Sequence, residues 1–220
     1  MLVGIAGIAL AVPGPYGEAR AVAPAPRAPG SSIDSLDSLF TVLARSPGFF
    51  ARFHEEKQVT LLVLPLKSDG TIHFDKQRGL ARHTLAPQKE SVLLSGSTLT
   101  MWDGAKTETV SLQSSAPLRA LAEAFALLLA ADRPGLEKSF SLAFRTSGSA
   151  WRLALVPTLA DLKKLVTEVD IAGDGLTPTT LVVREASGDE STTTLSEVDM
   201  AKRYTAREAA AVFKVPPSTP

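Results

Sequence analysis

Three histidines offer the first place to look for chemistry. His54 opens His54-Glu55-Glu56, which begins like the zinc-hydrolase motif in which two histidines on one helical face hold the metal and a glutamate works on its bound water. The second histidine is missing, and the surrounding FFARFHEEKQVT reads as a strand, where successive side chains point to opposite faces. His73 and His83 fall in separate strands, and neither has a patterned nucleophile that a general base could activate. Acidic residues are scattered singly; Asp161 with Lys163 and Lys164 reads as a solvated helix face or turn. The GxSxG, Walker A, GxGxxG and paired Cys/His spacings are all absent. The absence of cysteine removes thiolate zinc sites, Cys nucleophiles, disulfides and a lipidated N-terminal Cys together. These residues predict a protein that is not an enzyme and uses no metal or cofactor.

What the sequence supplies instead is apolar. The stretch APLRALAEAFALLLAA, 116–131, is too short to cross a membrane and more apolar than a surface helix should be. Leu118, Leu121, Phe125, Leu128 and Leu129 make a wide stripe at helical spacing, with Arg119 and Glu123 on the remaining side. An earlier helix is predicted in SSIDSLDSLFTVLARSPG, where Ile33, Leu36, Leu39, Phe40 and Leu43 share a face, Ser31 or Ser32 is the N-cap, and Pro47-Gly48 is the stop.

The elements that would have to position these helices are strands. Short runs rich in β-branched and apolar residues are predicted near 50–65, 70–76, 79–86, 91–95, 98–103, 106–112, 140–147, 150–156, 166–172, 179–186 and 191–200. Asp69-Gly70, Ser95-Gly96, Asp103-Gly104, Gly148, Asp174-Gly175 and Gly188-Asp189 punctuate them as hairpin turns, which implies antiparallel neighbours rather than βαβ crossovers. A meander of this length makes a strongly curved sheet or barrel. LLVLPL (61–66) and WRLALVP (151–157) are apolar on both faces, so both faces want cover. The helix at 116–131 is expected to plug or lid the concave face.

Composition bounds the partners. The 220 residues, 45% hydrophobic, suffice for one domain with a real core. Lys+Arg and Asp+Glu balance at 23 each, so the basic excess of a nucleic-acid binder is lacking. MLVGIAGIALAV followed by a Pro/Gly break and Ala19-Arg20-Ala21 predicts a cleaved signal peptide over 1–21, hence export. No Lys or Arg follows Met1, which fits a true start farther upstream, and Pro13 and Pro15 argue against the alternative of a continuing membrane anchor. The Ala/Pro-rich 22–30 reads as a stiff linker, and the domain is expected over 31–217.

From Phe49 the order of motifs resembles the outer-membrane lipoprotein carrier (LolA-like) family. A short amphipathic helix precedes Phe53-x-Glu55-x-Lys57; PLKSDGTIHF resembles the family's hairpin; a basic strand start follows at Lys76–Arg82, then APQKESVLLSGSTLTMWDG. SAWRLALVPTLADLKKLVTEVDI is similar to the family's W-x-L-x-L-x-P strand, and AAAVFKVPP to its terminal F-x-x-P. The resemblance covers about 33–217 and implies a mainly β protein with helices (α+β): an incomplete, strongly curved antiparallel β-barrel lidded by helices over an apolar cavity. It also implies a monomeric periplasmic carrier that takes lipoprotein acyl chains from an inner-membrane transporter to an outer-membrane receptor. The alternative is an accessory lipid-binding module for glycolipid or polyene lipid export.

The family's latch arginine, which bonds lid-helix carbonyls, falls ungapped on Gln77 here. A one-residue slip puts Arg78 in that role, and Arg82 is the other basic candidate. The expected lipid cavity is formed by Leu121, Phe125, Leu128 and Leu129 from the helix and by Leu80, Leu94, Leu99, Met101, Leu153 and Leu155 from strands. The same apolar alternation also suits a plainly filled interior.

Overall fold

The structure, a computed structural model, describes residues 33–216. The expected signal peptide, the linker and the Ser31/Ser32 cap lie outside those residues. Helix α1 spans Leu36–Arg45, and its N-cap is Ser35, whose side chain accepts from Ser38 N–H while the Ser38 hydroxyl accepts from Ser35 N–H. The strands β1 (Gly48–Gln58), β2 (Leu66–Asp75), β3 (Gly79–Ala86), β4 (Glu90–Ser95), β5 (Thr98–Trp102) and β6 (Thr107–Ser111) follow as a meander. A 3₁₀ turn at Leu112–Ser114 leads into α2 (Ala116–Leu129) and α3 (Arg133–Glu137). The second meander is β7 (Phe140–Ser147), β8 (Ala150–Pro157), the short α4 (Ala160–Lys163), β9 (Val166–Asp174), β10 (Thr177–Glu185) and β11 (Glu190–Asp199), and α5 (Ala206–Val212) ends the fold.

All eleven strands form one antiparallel sheet in the order β6-β5-β4-β3-β2-β1-β11-β10-β9-β8-β7. Pairing of β1 with β11 joins the two meanders, while β6 and β7 are the two edges and the barrel stays open. The segment 112–139 must therefore run from one edge to the other, and that is why α2 lies across the inner face.

Two sequence expectations are corrected at the first hairpin. LLVLPL is not a doubly covered strand: 59–65 is the hairpin tip, with Leu61 and Val63 92% and 97% exposed. Pro65 brings no N–H to a ladder, so β2 starts only after it, at Leu66. Asp69-Gly70 is no turn either. Gly70 sits inside β2 opposite Phe53, where an added Cβ would stand 2.0 Å from the His83 carbonyl oxygen and 2.7 Å from the Phe53 ring. Gly79 is required on both counts, with φ +98° and the Leu94 carbonyl oxygen 2.0 Å from an added Cβ.

The core packs α1, α2, α3 and α4 against β7, β8 and β9 through Ile33, Leu39, Leu136, Leu153, Leu162 and their neighbours. Arg133 ties α3 to α1, with Nη1 on Asp37 at 2.5 Å and Nε on Glu137 at 2.7 Å. On the outer face Asp170 of β9 accepts from Arg152 Nε of β8 and Arg184 Nη1 of β10, each at 2.8 Å, which holds its carboxyl below the usual range. The chain after β11 crosses the outer face of the first meander: Tyr204 hydroxyl donates to the Phe49 carbonyl, and His83 Nε2 bonds the Val212 carbonyl, both at 2.8 Å.

Candidate functional site: an apolar cavity under the helices

Strand alternation assigns the two faces. Phe49, Ile72, Phe74, Leu80, Leu153, Ile171, Leu181 and Leu195 share the inner face by cross-strand register, and helices α1 and α2 close over them. Between helices and sheet lies a cavity of about 200 Å³. Among the described lining side chains the polar groups are the Ser46 hydroxyl, which hydrogen-bonds the Gly48 and Met200 carbonyl oxygens at 2.8 and 2.5 Å, and the Trp151 indole N–H, which donates to the Gly175 carbonyl. An occupant therefore meets hydrocarbon and aromatic rings on every side, the chemistry that accepts an alkyl chain and rejects a polar one.

The predicted residues are placed unevenly. Leu80, Phe125, Leu128, Leu129 and Leu153 line the cavity. Leu121 and Leu155 instead line a recess of about 20 Å³ beneath α2, shared with Phe125 and Leu128. Leu94, Leu99 and Met101 lie on the same inner face, in register as Leu80↔Leu94↔Leu99 and Val92↔Met101, but on strands beyond the cavity lining. Sequence reasoning missed the wall supplied by Leu39, Val42 and Leu43 of α1 and by Ile33 just before it. Its amphipathic spacing was visible, but nothing in the pattern says that the stripe faces a void rather than a packed sheet.

Beyond the cavity the inner face carries ion pairs, Lys57 with Glu185 toward the hairpin tip and Arg82 with Glu55. Arg82 Nη2 donates to Glu55 Oε1 at 2.9 Å, Thr193 hydroxyl donates to Glu55 Oε2 at 3.0 Å, and the guanidinium carbon stands 4.2 Å from the Phe53 ring centroid. Arg78 closes the β2–β3 turn, with Nη1 3.2 Å from Asp75 Oδ1. Both candidate latch residues thus hold carboxylates of the sheet; on this basic stretch it is Lys76 that reaches a lid-helix carbonyl, its Nζ donating to the Ala44 carbonyl oxygen of α1 at 2.8 Å.

The histidines serve the sheet. His54 is half-exposed with Nδ1 2.8 Å from Asp69, which raises its pKa. His73 is buried under Tyr204, and burial, then His83 and Lys202, lowers its pKa to about 4. His83 bonds Ser91 and the Val212 carbonyl. Among the described residues no three His, Asp or Glu side chains come together as a metal site would need, and no helix is long and apolar enough to cross a membrane.

A sequence profile described as outer membrane lipoprotein carrier protein LolA-like matches residues 27–215. The chain belongs to that family. Among solved structures the fold is similar to a LolA superfamily protein from Nitrosomonas europaea (10% identity, TM-score 0.43, covering 79% of this chain and 96% of that one). It is also similar to a DUF1329 family protein from Desulfovibrio piger (10% identity, TM-score 0.42, covering 83% and 98%). No curated protein matches. The open, helix-lidded antiparallel sheet is the LolA-like fold, and members of that family are carrier and binding proteins.

Proposed function

We propose that this LolA-like chain is a periplasmic carrier that shields acyl chains, of lipoproteins or of a related lipid, on their way from the inner to the outer membrane. The observation that carries the reading is the cavity under α1 and α2, whose described lining is apolar apart from the Ser46 hydroxyl and the Trp151 N–H, both already bonded to carbonyls. A carrier must hold hydrocarbon yet release it, and a matching groove gains about 0.8 kcal/mol per buried CH₂. Phe125, Leu128 and Leu129 moderate that gain. They line the groove, and on this reading they close into it when cargo leaves, so entry of a chain exchanges one set of apolar contacts for another. The reading has an inner-membrane donor and an outer-membrane acceptor as partners and a monomer as the working species.

The test is mass spectrometry of lipid co-purifying from the periplasm with the wild-type chain and with Leu128→Asp. Lipid on the wild type and its loss from the folded variant is the expected result; no lipid on either, with both folded, removes the reading. The headgroup of the extracted lipid separates lipoprotein cargo from a glycolipid or polyene lipid.

A further inference from the structure

The tip of the β1–β2 hairpin belongs to neither cavity nor core. Leu61, Leu62, Val63 and Leu64 are consecutive and exposed, three of them at 92%, 97% and 76%, with Leu66 at 53% behind them. Scattered exposed apolar residues need no explanation, but a contiguous run does. The base of the tip is fixed: Thr60 N–H and hydroxyl both donate to Asp189 Oδ1, at 2.9 and 3.0 Å, and Leu62 N–H donates to the Val59 carbonyl at 2.8 Å. Below it the charges cancel, Lys57 on Glu185 at 2.5 Å and Lys67 on Glu56 at 2.6 Å.

We infer that this tip is a membrane-contact wedge that places Leu61, Val63 and Leu64 in the headgroup–acyl boundary of a lipid bilayer. Size and charge select the bilayer over a protein. Five side chains on one projecting turn fall short of the ~800 Å² per partner that a stable protein interface buries, whereas a bilayer takes up apolar side chains without a matching pocket. The paired-off collar leaves no cationic patch to select anionic lipid, so binding depends little on salt or on anionic lipid content. Along β2 the tip is separated from Ile72, the cavity-lining residue of that strand nearest to it, by about 20 Å at 3.3 Å per residue, so changes at the tip spare the cavity wall. The wedge rests on the tip alone and not on the cargo.

The experiment is flotation of the full chain with phosphatidylcholine vesicles, for wild type and for the triple variant L61S/V63S/L64S. Wild type should float equally at low and high salt, and the variant should lose at least about tenfold in vesicle partition. A Val63→Trp variant should shift its emission to the blue on adding vesicles and be quenched by brominated lipid. Equal flotation of wild type and triple variant, flotation of neither, or a water-like emission from the introduced indole would overturn the wedge. So would self-association of the wild type, lost in the triple variant, without vesicle binding, since the tip would then meet a second copy. Uptake of an apolar fluorescent probe by the same proteins reads the cargo proposal separately: flotation without uptake keeps the wedge and removes the carrier.

Discussion

Gly173 faces Trp151 across the β8–β9 ladder, and an added Cβ would stand 2.2 Å from the indole ring. Retreat of the ring toward the cavity would draw its Nε1 away from the Gly175 carbonyl, 3.2 Å off, and the Thr177 carbonyl oxygen, 2.5 Å from the same added Cβ, is backbone that does not yield. Gly173→Ala should cost about 1–3 kcal/mol of stability, read by urea unfolding, and should shift Trp151 emission in the folded state. His73 makes the second residue-scale prediction. Above pH 6.5 the folded and unfolded chains both keep it neutral and its full contribution is present; between 6.5 and about 4 the unfolded chain takes up a proton that the folded one refuses. Stability should therefore fall as pH falls through that window, by up to about 3 kcal/mol from this group, and His73→Gln should flatten the profile. A profile unchanged by that substitution would assign the acid sensitivity elsewhere. That tyrosine and histidine meet at all was not legible, because Tyr204 reaches β2 only after the chain has passed through β11 and turned back.

At the scale of elements the strands were legible and the hairpin tip was not. Paired Gly and Asp at Ser95-Gly96, Asp103-Gly104, Asp174-Gly175 and Gly188-Asp189 mark true turns, since those glycines hold positive φ that other residues resist. Asp69-Gly70 copies the signal for a different reason, room for Phe53, and composition cannot separate a glycine that turns from one that makes space. The run 61–66 misled because hydrophobicity predicts burial only where burial is the use. Helix α2 was read for its stripe, and Phe125, Leu128 and Leu129 do line the cavity; Leu94, Leu99 and Met101 share the inward parity of Leu80 but stand on strands beyond the cavity lining. Parity comes from the sequence, whereas the helices' footprint comes from where the chain crosses the sheet. The lid role of α2 predicts opposite signs for one substitution. Phe125→Ala should destabilise the empty protein by about 2–4 kcal/mol while raising its affinity for an apolar fluorescent probe, because the ring's place becomes cargo space. Loss of stability with no gain in probe binding would make Phe125 core and not lid.

The whole molecule is a sheet prevented from closing. Two meanders join at β1–β11, the edges β6 and β7 stay apart, and the connection between those edges is the helix that covers the hollow. Leaving the seam open and spanning it with α2 gives a cover that can move without breaking a β-ladder, since α2 contributes no strand to the sheet. A shift of α2 costs the contacts that Ala124, Leu121 and Leu128 make with the core, while α1, α3 and α4 keep their packing on β7, β8 and β9. Ligand entry into the native hollow and not into the unfolded chain must raise the unfolding temperature by linkage, by about 2.7 kcal/mol at a ligand concentration one hundred times Kd, or roughly 5–10 °C for a domain of this size. Thermal unfolding with increasing amounts of a single-chain amphiphile held below its micellar concentration should show that rise in the wild type and lose it in Leu128→Asp. An equal rise in both would trace the stabilisation to surface adsorption, and no rise in either would mean that the hollow under the helices does not take up hydrocarbon.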